Sequence, residues 1–287
     1  VGGTPLTGLT ITTDVLSASD ITLASSSALS VTNGGTSSIT GAISGTLVTL
    51  AKSGAGNLTL SGANTYTGTT TISAGTLTLT GSLSSSTDVS MTGSSIWDLQ
   101  VGQTIASLSM ATGNSITRSS GSSSLTVTGT STLAGSVTTS GTQTYTGAVT
   151  LGANTSLSST SNGLVWFKST VGNSAAKTLA ISSGTGGVTF ASTVGATTAL
   201  GAVTITTSGT TTMTGTFAAA SLSSGVGTTA INGGSVTTTG AQTYNGAVTF
   251  GADTTLTASA ITTSSTVAAD THSLTIITDA LALGGNV

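Results

Sequence analysis

One long passage of this chain is written twice. Ser136 to Ser159 reads SVTTSGTQTYTGAVTLGANTSLSS, and Ser235 onward reads SVTTTGAQTYNGAVTFGADTTLTA, at a constant offset of 99 residues. A unit that exposes an apolar face and is then repeated gains stability by stacking on its copy, which is the logic of a solenoid. Val194 to Thr206 (VGATTALGAVTIT) also resembles the opening VGGTPLTGLTIT with one gap. The chain thus begins inside a repeat motif, and both ends read as cuts in a longer array.

The repeated phrases are short. Leu58-Thr59-Leu60, Thr70-Thr71-Ile72 and Leu77-Thr78-Leu79 alternate apolar and hydroxylated residues, with turns at Gly62 to Asn64 and at Ala74-Gly75. Leu125-Thr126-Val127, Val149-Thr150-Leu151, Val188-Thr189-Phe190 and Val248-Thr249-Phe250 follow the same rule. Alternation with period two puts one side chain in and the next out, as a half-buried strand requires. Gly and Asn between phrases supply the positive φ of sharp corners.

Composition removes the alternatives. Glu is absent and charged residues make up 4% of the chain, so the usual surface residues of helices are missing, while Thr and Ser together make up roughly two-fifths of it. These, with Gly, are poor helix formers, and the chain reads as all-β. Mean hydropathy is +0.40 and proline occurs once, as Pro5, so the Ser/Thr/Gly bias does not signal disorder. An outer-membrane barrel would need aromatic girdles and strands of about ten residues, but aromatics are 3% and the phrases are shorter. Residues 1–287 therefore read as a single continuous segment of β-solenoid, a right-handed parallel β-helix, since parallel crossovers favour that hand. A turn of roughly 18 to 24 residues gives roughly 12 to 15 coils, and at about 4.8 Å per coil a rod roughly 60 to 70 Å long. Leu, Val, Ile and Ala are expected inside and Thr and Ser outside.

Gly54 to Leu79, GAGNLTLSGANTYTGTTTISAGTLTL, resembles the autotransporter-associated β-strand repeat of bacterial autotransporter passengers and other very large surface proteins, in its Gly-x-Gly-x-Leu-x-Leu-x-Gly-x-Asn-x-Tyr-x-Gly spacing. VTFASTVGATTALGAVTIT and THSLTIITDALALGG are similar to repeats of giant filamentous-haemagglutinin-like proteins. The resemblance implies a right-handed parallel β-helix, export beyond the cell membrane to the bacterial surface, and a part in adhesion or surface architecture. A C-terminal barrel and a secretion signal are not seen in the sequence, so the resemblance leaves the export route open.

Chemistry-bearing residues are sparse. Asp14, Asp20, Asp88, Asp98, Asp253, Asp270 and Asp279 are scattered, and the local groupings are Asp14 with Asp20 and Asp270 with His272 and Asp279. Polysaccharide-cleaving β-helices need two or three acids on adjacent coils, so these Asp residues read as solvated corners or turn caps. One histidine and no cysteine exclude an ordinary zinc site. Gly184-Thr185-Gly186-Gly187 lacks the Lys-Ser/Thr of a phosphate loop and reads as a corner. Lys52, Arg118, Lys168 and Lys177 are too dispersed for nucleic acid, and no run of 18 apolar residues marks a membrane span. Leu164-Val165-Trp166-Phe167-Lys168 is either a contact or sugar-stacking patch, carried by Trp166, Phe167 and Lys168, or a strand that packs Val165 and Phe167 inward. Tyr66, Tyr145 and Tyr244 recur at Thr-Tyr-Thr/Asn-Gly and read as spacers that fill the corner of a coil.

The expectation is a non-enzymatic extracellular protein without cofactor or metal: a stretch of a bacterial fibre, sheath or adhesin stalk that associates with itself end to end or laterally, with host or cell-surface glycans as further partners. A carbohydrate-binding or polysaccharide-acting β-helix and an autotransporter adhesin passenger are the alternatives. Ice binding would need a flat, regular Thr array, and the Thr-x-Thr phrases are unevenly spaced.

Overall fold

Strand after strand, the chain lies on the copy of itself one turn earlier. A computed structural model describes residues 5–286, and every regular element among them is a β-strand. Val1 to Thr4 of the opening motif lie outside the described residues. The described strand pairs are parallel, and apart from Leu6 with Leu23 at a register shift, partners on adjacent turns stand 18 to 24 residues apart, from Asn64 with Ser82 to Asn33 with Asn57. That distance is one coil, and the fold is a parallel β-solenoid of about 14 turns.

Two compact units make up the chain, residues 1–139 and 140–287. In the first, one face stacks Leu29, Leu50, Thr70, Val89 and Leu108 in register, and the next stacks Leu58, Leu77, Trp97 and Ile116. A third carries Ile21 on Ile43 and Gln103 on Leu125. In the second unit the three faces stack Val149, Val171, Val194 and Phe217; Leu179, Val203, Leu222 and Gln242; and Val165, Val188, Thr211 and Thr229. Apart from half-buried Ile21, inward residues of these columns are almost wholly buried, and the Thr and Ser between them face outward as the alternation predicts.

Parallel in-register stacking puts like beside like. Tyr145, Phe167 and Phe190 occupy successive coils with ring centroids 5.3 and 5.1 Å apart and their planes nearly parallel, and Phe217 meets Phe190 edge-on at 5.6 Å. These spacings follow the strand separation and lie in the favourable range for aromatic pairs. Leu200–Thr207 (LGAVTITT) and Leu6–Thr13 (LTGLTITT) are both eight-residue strands, so the similarity between the opening motif and Val194 to Thr206 corresponds to a shared element.

The duplicated passage behaves in a way that its sequence does not foretell. Gln143–Tyr145 pairs with Val165–Phe167, on the face that later carries Val248–Phe250. Its copy, Ala241–Tyr244, pairs instead with Phe217–Ser224 and Thr254–Thr263, one face earlier. The two copies are offset by a third of a turn, yet each keeps the same internal bonds. Tyr145 Oη donates to Gln143 Oε1 (3.1 Å) and Tyr244 Oη to Gln242 Oε1 (2.9 Å). Gln143 Nε2 reaches the carbonyl of Ser158 and Gln242 Nε2 that of Thr257, each at 2.9 Å and 15 residues ahead. The passage thus encodes a coil, not a particular face of one.

Removing a stacked inward side chain leaves a void between two coils. Leu77→Ala, between Leu58 and Trp97, is expected to cost about 2–5 kcal/mol, and outward Thr71→Ala about 0.5 kcal/mol or less. Chemical denaturation followed by circular dichroism checks the contrast.

Candidate functional site

The segment from Leu50 to Ser82 gives each position of the Gly/Leu/Asn/Tyr pattern a physical task. Leu58, Leu60, Ile72, Leu77 and Leu79 fill the interior. Gly54 turns a corner at φ 79°, and a Cβ at Gly62 would run into the carbonyl of Gly41 on the coil before. Asn64 is buried and ties three coils: its Oδ1 accepts from Ile43 N–H at 2.9 Å, and its Nδ2 donates to Gly62 O at 3.0 Å and Ser82 O at 2.9 Å. Tyr66 is also buried, with its hydroxyl 2.6 Å from Thr70 Oγ1. The wholly buried phenols of Tyr66, Tyr145 and Tyr244 all have their pKa pushed up by loss of solvent. All three point inward, and those of Tyr145 and Tyr244 close the last residue of a strand just before the corner.

Residues 50–82 match the passenger-associated-transport-repeat. A β-solenoid carrying this repeat fits an autotransporter passenger. No curated protein and no solved structure matches the chain. In residues 50–82, then, glycine marks where coils approach too closely for a side chain, Asn64 bonds one coil to the next, and Tyr66 makes an interior bond within its own coil.

The passenger-associated repeat also holds a lysine that sequence reasoning counted among dispersed charges. Lys52 is fully buried in an inward column, above Val31 and below Ile72. Its Nζ donates to the carbonyls of Ser53 and Gly54, each at 2.9 Å, and of Ala74 at 3.2 Å, so all three ammonium protons meet corner oxygens of two coils. Burial lowers its pKa from 10.5.

Asp98 corrects a second expectation, since it is no solvated corner. It lies within strand Ile96–Leu99 and is 6% exposed. Burial alone would raise its pKa, but bonds from Ser119 Oγ at 2.6 Å, Gln100 Nε2 at 2.7 Å, Ser119 N–H at 2.7 Å and Thr78 Oγ1 at 3.5 Å outweigh that and hold the carboxyl below its ordinary value. Thr78 shares its one hydroxyl proton between Asp98 and Asn57 Oδ1 at 3.0 Å, so Asn57, Thr78, Asp98 and Ser119 form a polar ladder over four coils.

The remaining candidates stay apart. Asp20 caps Ala42 N–H at 2.7 Å and Asp253 caps Ser273 N–H at 2.8 Å, both across coils. His272 lies 3.9 Å from Asp253 rather than forming a group with its sequence neighbours Asp270 and Asp279. Among the described residues no three His, Cys, Asp or Glu side chains come together. Gly184 ends a strand at φ 58°, which is the corner expected of the Gly184 to Gly187 stretch.

The proposed aromatic patch splits in two. Strand Val165–Phe167 sends Val165 and Phe167 inward, so Phe167 is wholly buried and takes no part in a surface. Lys168 is exposed and Trp166 half-buried with its indole Nε1 covered, and Lys168 Nζ lies 4.1 Å from the centre of the Trp166 ring.

Two opposite pH dependences follow. Because the folded pKa of Lys52 lies below its unfolded 10.5, the charged lysine opposes folding at neutral pH, and that penalty fades as pH rises through the folded value toward 10.5. Wild type should therefore gain stability relative to Lys52→Met from neutral pH toward 10.5, as read by denaturant midpoints; the buried phenols are common to both proteins and cancel. Asp98 has a lowered folded pKa, so its contribution is present above 3.8 and disappears as pH falls through the folded value; Asp98→Asn should flatten the acid limb.

Proposed function

We propose that the chain is a non-enzymatic, self-associating stretch of a bacterial surface fibre, sheath or adhesin stalk, one continuous segment of a longer repeat array. The observation that carries this reading is how the passenger-associated repeat uses its own residues: Gly54, Gly62 and Asn64 serve the contact of one coil with the next, while Tyr66 closes its own coil through Thr70. A motif built for stacking makes length and stiffness its product. The repeat family points to a secreted or surface-exposed protein.

Strand Leu274–Leu283 offers an edge to a further coil, whether of the longer array or of another copy. It pairs with Thr254–Thr263, and its Leu281 and Leu283 continue inward columns but are 48% and 41% exposed. Asp279 is the one charge on this strand, whereas protected edges usually carry several devices against pairing.

Electron microscopy and sedimentation of the 287-residue protein test the reading. The expected result is elongated assemblies that Leu281→Lys disperses without changing the circular dichroism spectrum, and that single Asp→Asn changes at Asp14, Asp20 or Asp88 leave intact. Assemblies indifferent to Leu281→Lys, or none at micromolar protein, would contradict self-association. Hydrolysis of a polysaccharide lost on an Asp→Asn change would contradict the structural role itself.

A further inference from the structure

The lysines and the tryptophan of the second unit lie on a single coil. Trp166, Lys168 and Lys177 all lie between Val165 and Gly184, a turn whose neighbours present mainly Thr, Ser and Ala outward. Residues 99–252 contain no Asp or Glu at all, although the chain as a whole has net charge -3. Lys168 therefore sits in a locally cationic part of an acidic protein, and its contact is the face of an indole rather than a carboxylate.

Trp166 is held ready by the layer beneath it. Val165 and Phe167 on either side are fully buried, and Phe167 is stacked between Tyr145 and Phe190, so the backbone that presents the indole is fixed. Thr144 and Thr189 are its register partners and face the same way, on strands about 4.8 Å to either side. Further along the same coil, Gly172 leaves open space where a Cβ would stand, and with Asn173, Thr150 and Thr170 it lines a cavity of about 330 Å³ without a charged side chain.

We infer that this coil binds an acidic sugar: the apolar face of a pyranose ring lies on the Trp166 indole, its carboxylate meets Lys168 Nζ, and Thr144 and Thr189 take ring hydroxyls. An apolar ring face needs an aromatic platform, a carboxylate needs a cation without an acid of its own, and hydroxyls need neutral partners that both donate and accept. Lys168 rests on the ring through its cation–π contact and, on a flexible four-carbon stem, swings to the ring edge when an anion arrives. The surface stalk proposed above does not depend on this site.

The chain has two tryptophans, so an isotope-labelled sample gives two indole N–H signals, with buried Trp97 as internal control. Titration with glucuronate is expected to move the Trp166 signal and not that of Trp97, while glucose and acetate at equal concentration move it far less. Lys168→Met should weaken glucuronate binding about tenfold, to the level of glucose, and Lys177→Met should not. Trp166→Phe identifies the signal, and a Thr144→Val variant should weaken glucuronate and glucose alike. The inference is overturned if neither indole signal responds to glucuronate, if acetate moves Trp166 as far as glucuronate does, or if Lys168→Met leaves the preference for the acid in place.

Discussion

Parallel backbone pairing of each coil with the next is the constraint on which everything else here depends. It fixes neighbouring strands at about 4.8 Å and places every side chain directly over its counterpart one turn earlier. An inward residue must then be one that stacks on its neighbours, and so Leu58, Leu77, Trp97 and Ile116 form a column. Corners inherit the same closeness. Where one corner rests on the carbonyl of another there is no volume for a Cβ, and Gly62 over Gly41 shows it.

The same constraint explains the polar interior. Corner peptides leave the ladder, and their N–H and C=O groups need other partners when buried. Asn64 supplies three such bonds, Lys52 three more, and Gln103 gives Leu83 both a donor and an acceptor. Gln143 with Tyr145, and Gln242 with Tyr244, bridge the interior within a coil. A solenoid so constructed resists slippage, because shifting one coil by a single residue would strand each of these groups without its partner.

Fold class was readable from the phrase Leu58-Thr59-Leu60 and its recurrences, because period-two alternation with glycine corners has a direct geometric meaning. Lys52 was not: a lysine in an otherwise alternating phrase looks solvated, and its burial depends on carbonyls from the next coil, far away in sequence. Asp98 was hidden likewise, since Ser119 lies 21 residues onward and nothing near Asp98 announces it. Phe167 and Trp166 were separable only once strand phase was known, as one residue of shift exchanges inside for outside. Nor did the 99-residue repeat reveal its offset by a third of a turn, because coil lengths vary between 18 and 24 residues and their sum over several coils sets the face.

The absence of cysteine makes that rotated register directly measurable. Thr243 is the register partner of Ser223, while Ala230 is the partner of Thr249 on another face. In Ser223→Cys/Thr243→Cys, oxidation is expected to close an intramolecular disulfide, since parallel neighbours bring Cα atoms into the bridging range of about 4.4–6.8 Å. Ala230→Cys/Thr243→Cys should stay reduced. Efficient bridging of Thr243 to position 230 and not to 223 would place both copies of the duplicated passage on the same face and contradict the coil register described here.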